Sequence, residues 1–301
     1  MNSIYCSPSQ VKTIMGESDG KNIKVDNFAT SLIPQGAMIN GIITDEDAMI
    51  NLLSEMNTEY LLAKEDTNLV IDSNSILTKL IDVPPLSEGQ ILEFVEREFS
   101  QYGKEEGAEK IYDYSVINPH AESGGVTILA VGVSKGLIES YQSVFLNAGF
   151  NLKGINIGIN AQIKLANFLP QLLTGTYILA QVDGKNLTFT LFNDGEYSLT
   201  NKYRLLNMTG TQEWFNEIGD NLSSMIQFNK GQRDTKDIET AYFTGIEKNE
   251  TTALSESLQY LNIDIKELDF EGFVVVSGTV KGKGGFLPGN FLYNIGNLLK
   301  K

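Results

Sequence analysis

From Thr176 the chain reads as three strands in quick succession, YILAQV, LTFTLF and YSLTNKYRL, separated only by the turns DGKN and NDGE. Turns this short are hairpin signals, so each strand is expected to lie antiparallel beside the one before it. A helical stretch, TQEWFNEIGDNLSSMIQFNK, follows the meander. A strand (IETAYFTG), a helix (ETTALSESLQYLN) and a strand (DIKELDF) come after it. The N-terminal third has the same grouping of hairpin strands, helix and strand. Two such groupings in one chain predict a duplicated α/β architecture.

In the first grouping, NIKVDNFATSLI alternates apolar and polar residues as a half-buried strand does. PQGAMING is turn chemistry, and Thr44 or Asp45 starts a helix whose first turn is acidic, which suits the helix dipole. Ala48, Met49, Leu52, Leu53 and Met56 fall on one face of it. NLVID follows as a short apolar strand.

The next stretch departs from the repeat. SILTKLIDV reads as a strand ended by Pro84-Pro85, and Ser87 and Gln90 are spaced as a capping box. The helix they open places Ile91, Val95, Phe99 and Tyr102 on one face. Strands KIYDYSVIN and GVTILAVGVS, a helix stopped by Gly149, and strand FNLKGINIG complete a β-α-β-β-α-β run. This run is expected to be a compact unit inserted into the first half.

Composition narrows the function. Lys+Arg 23 against Asp+Glu 38 gives a net charge of −15. That sign opposes nucleic acid, where binding rests on cations neutralising phosphate, and direct docking on an anionic bilayer. A basic protein partner fits better. Cys6 is the only cysteine, so no intrachain disulfide forms, and the start of the chain carries no secretory pattern. A reduced, cytoplasmic setting is expected. His120 is the only histidine and lies in a loop-like NPHAESGG, a poor basis for catalysis or metal binding. GTVKGKGG fails the spacing of a phosphate-binding P-loop and reads as a loop. Glu96, Arg97 and Glu98 read as a wet helix face, and Trp214 as core.

Three segments resemble a known family. SLIPQGAMINGIITDEDAMINLLSEM, LVIDSNSILTKLIDVPPLSEGQILEFVEREFSQY and VFLNAGFNLKGINI are similar, in this order, to stretches of PilM-type proteins of type IV pilus assembly. The resemblance implies an actin-like fold related to the division protein FtsA. Two RNase H-like halves clasp nucleotide there, and a small inserted subdomain called 1C replaces one arm of actin. On this reading residues 1–75 form the first part of domain 1, 76–157 the insertion, 158–175 a domain 1 helix and 176–301 domain 2, with helix over about 209–236.

The resemblance also implies where nucleotide would sit, and there this chain departs from the family. Laying the family's D-I-G-S-S-S-V-K on Val11 and Lys12 puts Tyr5 in place of the aspartate that organises Mg²⁺. Ser7 and Pro8 stand among the loop positions, and proline supplies no N–H. In the second loop Asp183 and Gly184 remain but the turn is short; in the third, Gly245 remains with Glu247 near an expected glycine. Lys12, Asp183, Gly184 and Gly245 are therefore residual nucleotide positions in a chain expected to hydrolyse no ATP and to need no cofactor. Asp183-Gly184 also reads simply as a hairpin turn, and Lys12 as a solvated strand residue.

What remains is a scaffold reading. The chain would be a cytoplasmic platform component that binds the cytoplasmic tail of a PilN-like inner-membrane protein. It would meet the pilus or secretion ATPase and its platform proteins, touching the membrane only through partners. Candidate groove residues are Leu80, Ile81, Val83, Ile91 and Val95. The alternatives are an active ATP-binding PilM and a GspL-like or FtsA-like component. The tail GFLPGNFLYN resembles the partner's docking motif and is expected either to pack on the second domain or to compete for the partner groove.

Overall fold

The computed structural model describes residues 1–62, 65–100, 109–119, 124–232, 235–277 and 285–299. The chain divides into two compact units, one built on Met1–Gly16 and Asp26–Asn160, the other on Glu17–Val25, Ala161–Ser277 and the tail.

In chain order the first half contains β1 (Asn2–Cys6), β2 (Gln10–Ser18), β3 (Ile23–Leu32), the short strands β4 (Met38–Ile39) and β5 (Ile42–Ile43), α1 (Glu46–Tyr60) and β6 (Thr67–Ile71). Then come β7 (Leu77–Val83), α2 (Glu88–Ser100), β8 (Lys110–Pro119), β9 (Val126–Ser134), α3 (Lys135–Asn147), β10 (Leu152–Ile157) and α4 (Gly158–Ala166). The second half contains β11 (Tyr177–Asp183), β12 (Asn186–Asn193), β13 (Glu196–Arg204), α5 (Gln212–Lys230) and β14 (Thr240–Thr244). It ends with α6 (Lys248–Ser257), β15 (Asp264–Glu267), β16 (Val274–Val276) and α7 (Leu292–Leu298).

The two large sheets carry the expected duplication. One runs β10-β6-β1-β2-β3-β16, and the other, read from its own last strand, β15-β14-β11-β12-β13. In each, the first strand pairs antiparallel with the second and parallel with the fourth, and the fourth pairs parallel with the fifth. A helix joins the third strand to the fourth in both halves, α1 and α5, and another joins the fourth to the fifth, α3 and α6. Parallel neighbours need such crossovers. The surplus in the first half is then β7-α2-β8-β9, whose strands form a separate antiparallel sheet in the order β7-β9-β8.

The β-α-β-β-α-β run is therefore present in order but divided between two sheets. Its last strand, β10, pairs with β6, and α3 places Tyr141, Val144 and Phe145 in one core with Met49, Leu52, Leu53 and Met56 of α1. The apolar face of α3 is buried against that of α1, with Val133 of β9 at the edge of the same core, and burial of apolar area holds it there.

Local signals hold at the element ends. Asp45 caps α1, its Oδ1 accepting from the Ala48 N–H at 3.0 Å. Gln90 reaches back to the Ser87 N–H at 3.0 Å, as the capping-box spacing requires. Gly149 adopts φ +86° just past α3. A turn not singled out in the sequence is Asn40-Gly41, which joins β4 to β5 with φ +50° and +78°. Both values are positive, as in a type I′ hairpin, and the Asn-Gly pair was its available signal. Asp194-Gly195 turns the same way at +54° and +82°. Trp214 is fully buried, as expected.

Cys6 is fully buried in the first core, and burial pushes its thiol up to about 12 from an ordinary 9.0. The thiol ionises first in the unfolded chain, so its contribution to stability is complete below about pH 9 and is lost as pH rises towards about 12. The stability difference between wild type and Cys6→Ala is expected to shrink over that window. Denaturant unfolding at several alkaline pH values measures it; a difference independent of pH would contradict the assignment.

Candidate functional site

The first phosphate-loop position joins β1 to β2. Tyr5 pairs with Lys12 and Cys6 with Val11, leaving Ser7, Pro8 and Ser9 as the loop. Its amides are already bound within the loop. The Ser7 N–H donates to the Gln10 carbonyl at 2.9 Å, and the Ser7 hydroxyl oxygen accepts from the N–H groups of Ser9 at 3.3 Å and Gln10 at 2.9 Å. Pro8 has no N–H. Phosphate-gripping loops turn free backbone N–H groups into a concave nest, and here the Ser7 hydroxyl oxygen engages two N–H groups of the loop. Tyr5 is 3% exposed and Lys12 5% exposed. Lys12 is thus a buried residue, not the solvated one its alternation implied. Period two says only that neighbours face opposite ways, and both faces of β2 are covered here.

The equivalent turn of the second half joins β11 to β12. Asp183 pairs with Asn186, so the turn residues are Gly184 and Lys185, and the Asn186 amide donates to the Asp183 carbonyl at 3.2 Å. Gly184 alone has positive φ, +60°, which is the type II′ arrangement with glycine first, not an Asp-Gly type I′ turn. Asp183 itself is 8% exposed at the end of β11.

The third position follows β14. Gly245 has φ +80°, and a Cβ there would overlap the Val182 carbonyl oxygen. Any side chain would push β14's end away from β11's. Glu247, expected to oppose phosphate, is exposed and starts α6: its N–H donates to Glu250 Oε2 at 2.8 Å and its carbonyl accepts from the Thr251 N–H at 3.0 Å. The second unit thus gathers Asp183, Gly184 and Gly245 at the C-terminal ends of two adjacent parallel strands. Lys12 stands in the first unit, on β2 opposite Tyr5.

The tail belongs to this corner. Gly289 lies against Gly245 and Thr244, with its Cβ position 3.5 Å from the Gly245 nitrogen. Every residue of α7 is buried. Of the two expectations for GFLPGNFLYN, packing on its own second domain is the one observed.

The five candidate groove residues separate by face. Val83, Ile91 and Val95 are buried with Phe99, Ile128 and Ala130, and Ile81 packs against them. They form the core between the small sheet and α2, tied at its rim by an ion pair of 2.8 Å from Lys79 to Glu98. Glu96 and Arg97 on that helix are exposed as expected. Leu80 points the other way and lies opposite Leu129. The same alternation puts Val131 of β9, Ile111 and Asp113 of β8, and Asp82 of β7 on Leu80's face. Helix spacing identified which residues of α2 share a face but could not say that β7's odd residues fill it. Ile111 is 40% exposed, and Asp82 and Asp113 are exposed. The result is an apolar strip bordered by two carboxylates; Asp82 Oδ1 accepts from the Thr127 hydroxyl at 2.6 Å.

Among the described residues no group of His, Cys, Asp and Glu is arranged to hold a metal ion, and no helix is long and apolar enough to cross a membrane. His120, Tyr102 and most of GTVKGKGG lie outside the described residues.

Two sheets of matching order, one interrupted by a small β-α-β-β insertion, define an actin-like ATPase fold. Solved structures share it. The "PilM-PilN type IV pilus biogenesis complex" matches with TM-score 0.79 and 13% identity over 99% of this chain and 97% of the other. A Bacteroides thetaiotaomicron protein with an actin-like ATPase fold gives 0.54 at 13% identity, over 99% and 94%. The cytoplasmic domain of EpsL, an inner-membrane component of the Vibrio cholerae type II secretion system, gives 0.52 at 8% identity over 100% and 95%. The family profile described as "Type IV pilus assembly protein PilM" matches residues 4–218, and the chain belongs to that family. No curated protein sequence matches it.

Proposed function

We propose that this chain is a cytoplasmic scaffold of a type IV pilus or related secretion machine, holding the basic cytoplasmic tail of a PilN-like inner-membrane protein without hydrolysing ATP. Membership of the PilM family and a fold shared with a PilM–PilN complex support the partner. The observation that carries the reading is the face of the small sheet turned away from α2. There Leu80, Val131 and Ile111 are only partly buried around a covered Leu129, beside Asp82 and Asp113. Apolar contact supplies most of the affinity at ~25 cal/mol per Å². The carboxylates select basic sequences, adding roughly 0.2–1 kcal/mol for each exposed ion pair.

The nucleotide positions do not fit Mg-ATP. Backbone N–H groups of the first loop are occupied by Ser7 and Gln10, Tyr5 stands where a metal-organising carboxylate belongs, and the second loop is a two-residue turn. Binding a triphosphate would first require breaking the Ser7 contacts, each worth ~1 kcal/mol.

Two titrations test the reading. A synthetic peptide of the partner's N-terminal cytoplasmic segment is expected to bind, and Leu80→Lys to weaken it at least about tenfold, or ~1.4 kcal/mol. Undiminished affinity in that variant removes the groove assignment. Mg-ATP added to the purified chain is expected to show no saturation below about 1 mM, and micromolar affinity would overturn the nucleotide argument.

A further inference from the structure

Two exposed corners, one on each unit, are complementary in charge and both apolar. On the second unit, Tyr203 and Leu205 pack into the core, so the alternation turns Lys202, Arg204 and Leu206 outward together. The Lys185 carbonyl accepts from the Leu205 N–H at 2.7 Å, which brings Lys185 beside them. Leu206 is 77% exposed and Met208 79% exposed. Their loop is nonetheless held: the Glu217 carboxylate accepts from the Leu206 N–H at 2.9 Å and from the Asn207 N–H at 3.2 Å and side-chain amide at 3.0 Å. Two protruding apolar side chains on a pinned loop beside three cations are unusual on a molecule of net charge −15.

On the first unit, the β4–β5 hairpin buries Met38 and Ile43 and turns the directly paired Ile39 and Ile42 to solvent, 56% and 46% exposed. Ser73 and Tyr141 clamp its tip by donating to the carbonyls of Asn40 at 2.8 Å and Gly41 at 2.9 Å. Asp45, Glu46 and Asp47 follow at once and are exposed.

We propose that these corners dock on each other between copies of this chain, the Lys185–Arg204–Leu206 corner of one copy on the Ile39–Ile42 and Asp45–Asp47 corner of the next. Rigid apolar pairs meet while cations face carboxylates, so each corner supplies what the other lacks. An anionic bilayer is a poorer occupant, because it is extended and would confront the acidic remainder of the molecule. A protein contact senses only charges within about 8 Å at physiological salt. The two surfaces differ, so a single contact leaves one corner free on each copy, and the association either continues head-to-tail or closes on itself. Each corner presents two exposed apolar side chains, against the roughly 20–30 residues a side of a stable complex, so the association is weak.

Sedimentation velocity of the purified chain from about 10 to about 500 µM, a range suited to so small a contact, is expected to show mass rising with concentration and falling with added salt. The pair Lys202→Glu with Arg204→Glu, and the pair Glu46→Lys with Asp47→Lys, are each expected to leave monomers. Mixing the two variant proteins is expected to restore association, which a merely misfolded variant could not do. Leu206→Ser with Met208→Ser, at largely solvated positions, is expected to abolish association with thermal unfolding unchanged. The proposal is overturned by monomers throughout, by association indifferent to both reversals, or by failure of the mixture. It is equally overturned if the wild type stays monomeric but binds phosphatidylserine vesicles through Lys202 and Arg204.

Discussion

Replacing Gly296 with alanine is expected to destabilise the second unit by about 3 kcal/mol. Gly296 lies inside α7, every residue of which is buried. A Cβ at this position would overlap the carbonyl oxygen of Ala161 in α4, and its three nearest atoms would all be backbone atoms of Ala161. Side chains can rotate away from an intruding methyl; a backbone cannot without moving its helix. Alanine favours helix over glycine by about 1 kcal/mol, so on propensity alone the change would stabilise. The overlap reverses the sign, because separating the two helices also strips contacts from their neighbours. For a unit of this size the midpoint of thermal unfolding is expected to fall by about 6–12 °C. An unchanged or raised midpoint would mean that α7 does not touch α4 this closely. Gly219 is a useful contrast. Its added Cβ would meet only side-chain ends of Leu258 and Tyr260, which can move, so Gly219→Ala is expected to cost less.

Val95→Ala is expected to cost about 2–4 kcal/mol in the small subdomain, while Leu80→Ala costs under about 1 kcal/mol. Val95 is fully buried among Val83, Ile91, Phe99, Ile128 and Ala130, so truncation leaves a cavity in a core of few side chains. Leu80 sits on the opposite, partly open face, where water can fill the space. Hydrogen exchange resolved to β7, β8 and β9 checks this. Protection there should drop sharply for Val95→Ala and little for Leu80→Ala. The same two variants separate fold from recognition, since only the Leu80 position should alter partner binding without altering exchange. Equal losses of protection would put both residues in one core and undo the division into two faces.

How far the sequence could be read follows from what kind of interaction each feature rests on. Caps and turns depend on residues a few positions apart, and Asp45, Gln90, Gly149 and the two meander turns were legible for that reason. The duplicated grouping was legible because strand and helix periods differ. Lys12 was misread because alternation specifies sides and not what covers them. The Ser7 hydroxyl that binds within the first loop is three residues from Gln10, a separation local enough to be legible. A Ser-Pro-Ser turn reads as a damaged loop when compared with a glycine-rich one, and only the hydrogen bonds reveal it as a closed one.

By itself the sequence determined most of the elements, their order and the two matching halves, since these follow from side-chain type and local spacing. Only the tertiary structure decided that α3 and β10 return to the large sheet, that four of five groove candidates fill a core, and that the tail seals the Gly245 corner. Those outcomes depend on which apolar face finds which partner across scores of residues, and pairing at that distance is written in no short stretch of chain.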